Sequence, residues 1–304
     1  QREEMGFPWL PSSQVTQEGI KEPPLPQPRT ETADLLLEIG TEELPTSDLD
    51  SALAQLQAAI PELLEKNRLS HAGISVQGTP RRLTVFVKDL ETHQADRVVI
   101  VKGPPAERAF DATGKPTKAA EGFARSRGVD VSMLKVQSVE GGDYVVAEVL
   151  EKGQSAAAIL TQSLPELYSN IRFTKSMRWN QTGTAFSRPV RWLVALLGED
   201  VIPFSFAGLW SGRTTRGLRF SEQPSKELRW PADYFDYIDA QGIVLDPKQR
   251  QAMIWEQAQR LAQSVGGKLA DDPALLTEVT NLVERPTAML GSFEERYIQN
   301  LPPE

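Results

Sequence analysis

The chain has 304 residues, a formal net charge of −8 and no cysteine, a length that suggests two hydrophobic cores rather than one. Without cysteine there is no disulfide framework, thiolate metal site, iron–sulfur cluster or cysteine nucleophile, and two histidines, His71 and His93, make no histidine-rich metal centre. No apolar run reaches the roughly 18–20 residues of a membrane span, and the acidic balance argues against a general nucleic-acid binder.

Residues 1–10 (QREEMGFPWL) read as a helix end that stops at Phe7-Pro8, because the residue before a proline is pushed out of the helical region. With no initiator methionine and no signal-like segment, this end is expected to come from a longer chain. Residues 11–33 carry five prolines among serine, threonine, glutamine and charges, a linker composition. Order is expected from Asp34, with a short strand at 35–39 and a turn at Gly40. Leu49, Leu53, Leu56, Ile60, Leu63 and Leu64 fall on one helical stripe started near Ser47-Asp48, in which Pro61 marks a kink or break. Leu83, Val85 and Val87 alternate with Thr84, Phe86 and Lys88 as a strand, closing a strand–helix–strand unit over 35–88.

A further strand is expected at 98–101, and PTKAAEGFARSRG (116–128) reads as a helix bracketed by Pro116 and Gly128. Residues 134–150 form a hairpin around the EGGD at 140–143, and a helix follows at 154–169. Residues 190–197 and 201–206 are apolar enough for core strands joined at Gly198-Glu199-Asp200. After Pro231 the pattern turns helical. Asp246-Pro247 and Asp272-Pro273 each put a capping aspartate before a first-turn proline, and Gly266-Gly267 and Arg285-Pro286 mark the two ends. The fold expected is α+β: a mixed α/β region over 34–228, then a mainly helical region over 229–304.

Three groups of residues could carry chemistry. Glu42 and Glu43, with Glu38 nearby, offer carboxylates for acid–base work or a divalent cation. Adjacent residues point apart, however, and acidic side chains before a helix suit its positive end. KGPP (102–105) has the lysine and glycine of a phosphate loop without the GxxxxGK[ST] pattern, and reads as a turn. The third group decides more. Residues 172–219 hold eight basic side chains against Glu199 and Asp200, a local charge of +6 that leaves −14 for the rest of the chain.

Seven of those eight are arginine, whose planar fork suits phosphate and whose face stacks on bases. Lys175, Arg178, Arg188, Arg191, Arg213, Arg216 and Arg219 are therefore candidates for contact with an RNA backbone, joined by Arg81 and Arg82 at the start of a strand. Trp179, Trp192 and Trp210 are interleaved with them, and Trp192, in an apolar run, reads as core. No metal or catalytic residue is expected. GxGxxG, HExxH, GxSxG and a Walker lysine are all absent, which favours a binding or accessory region.

In order along the chain, LLLEIGTEELP (35–45), GTPRRL (78–83), KGPP, AFDATGKPTKAAEGFARSRGV (109–129), KSMRW (175–179), SRPVRWLVALLG (187–198), TRGLRF (215–220) and LTEVTNLVERPTAMLGSFEERY (276–297) resemble the N-terminal part of the bacterial-type glycyl-tRNA synthetase β subunit. Residues 1–10 look like the end of that enzyme's α subunit, which makes residues 11–33 a fusion linker in a single-chain α–β enzyme, as in plant organelles and some bacteria. The resemblance implies a class II active site with ATP and Mg in the α part, and no catalytic residue or cofactor in this one. It implies that the β portion engages glycine tRNA and supports the α catalytic domain of the same chain. A homodimer of the fused chain, no membrane, and a chloroplast, mitochondrion or bacterial cytoplasm complete the expectation.

Two other readings compete: an interaction scaffold between enzyme halves with no RNA contact, and a small-molecule hydrolase using Glu42 or Glu43. The chain departs from the family pattern at Leu218, where a GHRF element commonly has histidine, and at Asn180, where MRWG has glycine.

Overall fold

The computed structural model describes residues 25–26, 31–111, 113–139, 141–294 and 296–299. The helix end read at 1–10 and most of the proline-rich segment lie outside the described residues.

The first strand, β1 (Thr32–Thr41), sets the plan of the core. Successive side chains of a strand alternate between faces. Leu35, Leu37 and Ile39 accordingly enter one hydrophobic cluster, while Leu36 enters a second. The strand begins before Asp34, with Thr32 opposite Glu91 and Ala33 opposite Leu90. Gly40 is not a turn: it lies within the strand, opposite Arg82 on one side and Trp192 on the other. Helix α1 (Thr46–Lys66) buries Leu49, Leu56, Ile60 and Leu64 and runs through Pro61 without breaking.

β2 (Gly73–Thr79) follows, then β3 (Arg82–Glu91). β2 escaped the sequence reading because its residues GISVQGT bury little beyond Gly78 and Thr79. β4 (Arg97–Pro105) contains the KGPP run, which ends a strand instead of making a turn; its register shifts between Lys102 and Pro105. Gly103 faces the ring of Phe123, and a Cβ there would lie 2.6 Å from it. Then come α2 (Ala106–Ala109) and α3 (Lys118–Arg127), the latter capped by the Thr117 hydroxyl and closed by Gly128 at φ 68°. The expected hairpin is β5 (Lys135–Val139) and β6 (Gly142–Glu151), and α4 (Ala156–Ser169) is the expected helix.

β7 (Val190–Leu197) pairs with β8 (Asp200–Val201), but the 201–206 strand is divided at Pro203, which has no N–H to offer a ladder. Short pairs follow: β9 (Ser205–Phe206) with β10 (Leu209–Trp210), and β11 (Thr214–Arg216) with β12 (Ser225–Glu227). Helices α5 (Pro231–Ala240), α6 (Pro247–Ser264), α7 (Pro273–Thr280) and α8 (Arg296–Gln299) complete the chain. α7 stops short of Arg285-Pro286. Asn281 ends it, donating its side-chain amide to Asp50 of α1, and the chain then turns inward at Glu284.

The main sheet has the order β2-β3-β1-β7-β8, all pairs antiparallel. α1 and α4 cover one face, and α5 covers the other through Tyr234, Tyr237 and Ile238 against Leu36, Trp192, Val194 and Leu196. Each such large apolar side chain contributes about 1.5–3 kcal/mol by its burial. Arg250 of α6, fully buried, donates to the carbonyls of Gly78, Val244, Leu245 and Thr280 and so ties α6 and α7 to the end of β2. Burial pushes its guanidinium down to about 10.

The sheet β4-β6-β5 with α2 and α3 forms a separate module between Thr92 and Ala156. Its two ends adjoin: Gln94 N–H donates to Gln154, and Ala156 N–H to Thr92. The class is α+β. Among the described residues no helix is long and apolar enough to cross a membrane.

Candidate nucleic-acid interface

At the Thr41 end of the sheet's second face, three adjacent strands present Arg82, Gly40 and Trp192 side by side. Because Gly40 has no side chain, the indole of Trp192 lies over the middle strand; a Cβ on Gly40 would be 1.9 Å from the ring. The indole Nε1 then reaches Glu38, two residues back on β1, and donates to Oε2 at 2.7 Å. Thr215 donates to the same oxygen at 2.7 Å, while Tyr234 and Arg82 donate to Oε1 at 3.0 and 3.2 Å.

Arg82 also donates from Nε to Glu284 at 2.9 Å and from Nη1 to the carbonyl of Arg216 at 2.7 Å. Its side chain, like that of Glu38, is fully buried. Burial opposes the charge on Arg82, but Glu284 and Glu38 outweigh it and hold the guanidinium above its ordinary value. Arg82 therefore cannot meet an RNA backbone: it is a core residue that braces two carboxylates, correcting its place among the candidates.

Above this buried network four arginines converge from four segments. Arg81 comes from the turn between β2 and β3, Arg191 from β7, Arg216 from β11 and Arg219 from the loop that follows. With Glu42, Gly217, Leu218 and Pro224 they line a cavity of about 310 Å³. The guanidinium carbons of Arg216 and Arg81 lie 5.3 and 5.8 Å from the centre of the Trp192 ring, within cation–π range. Glu42 sits between two of the arginines, Oε1 at 3.0 Å from Arg191 Nε and Oε2 at 2.6 Å from Arg219 Nη2.

Arg81 lies 3.6 Å from Glu284, and burial lowers its guanidinium despite that carboxylate. A wider groove continues past Leu218 and Phe220 toward residues 282–285, with Phe220 96% exposed.

The remaining candidates do not line this cavity. Arg213 points to the opposite end of the sheet, donating to the carbonyls of Leu228 at 3.1 Å and Glu199 at 2.8 Å. Arg188 is half-buried and donates to the carbonyl of Ser187. Arg178 and Lys175 are exposed on the irregular segment 171–189, where Arg178 holds the carbonyl of Gly183 at 2.9 Å. Asn180, in place of glycine, closes its own turn: its amide donates to Ala207 and its oxygen accepts from Thr182. Leu218 packs at the edge of the second core cluster and lines the cavity.

Glu42 and Glu43 do not make a carboxylate pair, since Glu42 is taken by two arginines and Glu43 is 67% exposed. Among the described residues no group of three His, Cys, Asp or Glu could hold a metal ion. From the sequence Gly40 reads as a turn, Glu38 only as a neighbour of Glu42 and Glu43, and Glu284 has no role. The available signal was the alternation of LLLEIG, which puts an acid on the same buried face as Leu36.

A family model described as glycyl-tRNA synthetase beta subunit matches residues 35–304. The chain is 46% identical over 271 residues to the glycine–tRNA ligase beta subunit of Myxococcus xanthus, a match covering 89% of this chain and 38% of that one. It is 43% identical over 266 residues to the beta subunit of Desulforamulus reducens, covering 88% and 38%. It is also 43% identical over 269 residues to the chloroplastic/mitochondrial glycine–tRNA ligase 2 of Arabidopsis thaliana, covering 88% and 25%.

An α+β body with an arginine-lined cavity thus falls among the components of aminoacyl-tRNA synthetases. The chain belongs to the glycyl-tRNA synthetase beta subunit family. It spans well under half the length of these relatives.

Proposed function

We propose that this chain is the N-terminal portion of a glycine–tRNA ligase beta subunit and that it engages glycine tRNA through the cavity of Arg81, Arg191, Arg216 and Arg219. The observation that carries the reading is the convergence of those four arginines on one cavity, over a tryptophan, with one carboxylate among them. Such a surface suits a phosphate backbone and positions a nucleic acid without reading its sequence. ATP-dependent activation of glycine, with its Mg, belongs in this reading to an α catalytic part that the β portion supports.

In this reading residues 1–10 and 11–33 are the end of that part and a fusion linker. The parent chain would act as a homodimer in a chloroplast or mitochondrion, or, in a bacterial version, in the cytoplasm.

The test is binding of transcribed glycine tRNA by the Arg216→Ala, Arg219→Ala double variant over a range of salt. Each lost duplex phosphate contact reduces the slope of log K against log salt by about 0.9. An unchanged affinity and slope would overturn the reading and favour the scaffold, with the arginines facing acidic protein surface.

A further inference from the structure

We infer that Glu42 is an internal counter-ion standing in the place of an RNA phosphate, so that the arginine cavity admits a run of phosphates and turns away single small anions. The inference rests on the reading that this cavity receives RNA.

The geometry is that of an occupied anion site. Each carboxylate oxygen of Glu42 takes one guanidinium, Arg191 at 3.0 Å and Arg219 at 2.6 Å, the two-point arrangement that arginines also offer a phosphate. The two arginines come from β7 and from the loop after β11, and Glu42 is the carboxylate that both touch. The occupant is removable. Glu42 is 34% exposed, and Arg191 and Arg219 are 52% and 47% exposed. An exposed ion pair of this kind shifts an equilibrium by no more than about fivefold. The backbone of Glu42 stays in place, its N–H donating to Pro189 at 3.0 Å, so a side-chain rotation suffices to vacate the site.

Balance of contacts then sets the selectivity. A single small anion must break two ion pairs to make two, and gains little. A polyanion that makes the same exchange brings a neighbouring phosphate to Arg216, which lines the same cavity without an ion pair to Glu42, whereas Arg81 already faces Glu284 at 3.6 Å. The buried carboxylates beneath, Glu38 and Glu284, are held in place by Arg82, Glu284 facing Arg81 as well.

The experiment compares the unaltered chain with Glu42→Gln, Glu43→Gln and the Arg216→Ala, Arg219→Ala double variant. Fluorescence anisotropy of a short labelled RNA hairpin is the readout, and inorganic phosphate is the competitor. Glu42→Gln is expected to bind the hairpin about threefold to tenfold more tightly, the range set by two exposed ion pairs. With each protein held at the concentration that half-saturates a trace of labelled hairpin, phosphate should displace it from that variant at a several-fold lower concentration than from the unaltered chain. Glu43→Gln removes the same charge one residue away and should change affinity by less than about twofold.

If Glu42→Gln binds no more tightly than Glu43→Gln, the counter-ion role is wrong although the cavity still takes RNA. If the double arginine variant binds as well as the unaltered chain, the cavity itself is not the RNA site and the inference falls with it.

Discussion

The carboxylate of Glu38 and the guanidinium of Arg82 meet at 3.2 Å with both side chains shut off from water, and Glu284 takes the other side of the same guanidinium at 2.9 Å. One buried cation thus stands between carboxylates at positions 38 and 284, from distant segments of the chain. Removing it takes the cation from Glu38 in the core and leaves Glu284 facing Arg81 at 3.6 Å, a change that costs about 3–5 kcal/mol. Arg82→Ala should lower the midpoint of urea unfolding accordingly. Arg82→Lys should recover only part of the loss, because an ammonium cannot serve Glu38, Glu284 and the carbonyl of Arg216 from one planar fork. A loss under about 1 kcal/mol for Arg82→Ala would show that the network is not what holds the second face together.

Gly40 and Trp192 are coupled by shape. Gly40→Ala puts a methyl group where the indole ring lies, and overpacking of this kind costs about 1–3 kcal/mol. A double-mutant cycle with Trp192→Leu checks the cause. The combined loss should be smaller than the sum of the two single losses, since the leucine vacates the space that the alanine needs. Strict additivity would mean that the glycine is required for some other reason.

Arg213 and Arg216 lie three residues apart and should behave differently. Arg213→Ala gives up donations to two backbone carbonyls and should lower stability by about 1–3 kcal/mol while leaving RNA affinity within error. Thermal melts and anisotropy on the same sample separate the two effects. A drop in affinity without a drop in stability would return Arg213 to the interface.

Burial raises the phenols of Tyr168 and Tyr234, with the charge of Glu38 adding to it. For an acid whose folded pKa lies above its unfolded value of 10.0, the unfolded state ionises first. Stability from these tyrosines is therefore complete below pH 10 and is lost as the pH climbs above it. Ultraviolet titration of the folded chain should miss the absorbance of both phenolates near pH 10, and their signal should appear together with loss of structure. Smooth titration of all five tyrosines at their ordinary value would contradict their burial.

Local patterning exposed most of the element order, because alternation and capping residues act over a few positions. The helix between Thr117 and Gly128 and the hairpin of β5 and β6 follow from turn and cap chemistry alone. Gly40 was misread because a glycine after an apolar run signals a turn unless a large side chain from a neighbouring strand needs its space, and Trp192 is 152 positions away. Arg82 was misread for the same reason. Charge predicts exposure, and only Glu38 and Glu284, brought close by folding, reverse that expectation. The cluster of positive charge was legible, but not which arginines share a cavity. Arg213 and Arg216 diverge because the backbone between them enters β11 and turns them toward opposite ends of the sheet.

The module between Thr92 and Ala156 leaves and rejoins the body at one neck, where His93 also bridges Ser155. A closed neck means that its three strands can open, or be displaced by whatever touches them, without unzipping a single rung of the five-stranded sheet. Mechanically the two halves are in series: load on the arm is delivered to the end of β3 and the first turn of α4, both seated in the same core cluster through Leu90 and Ala156.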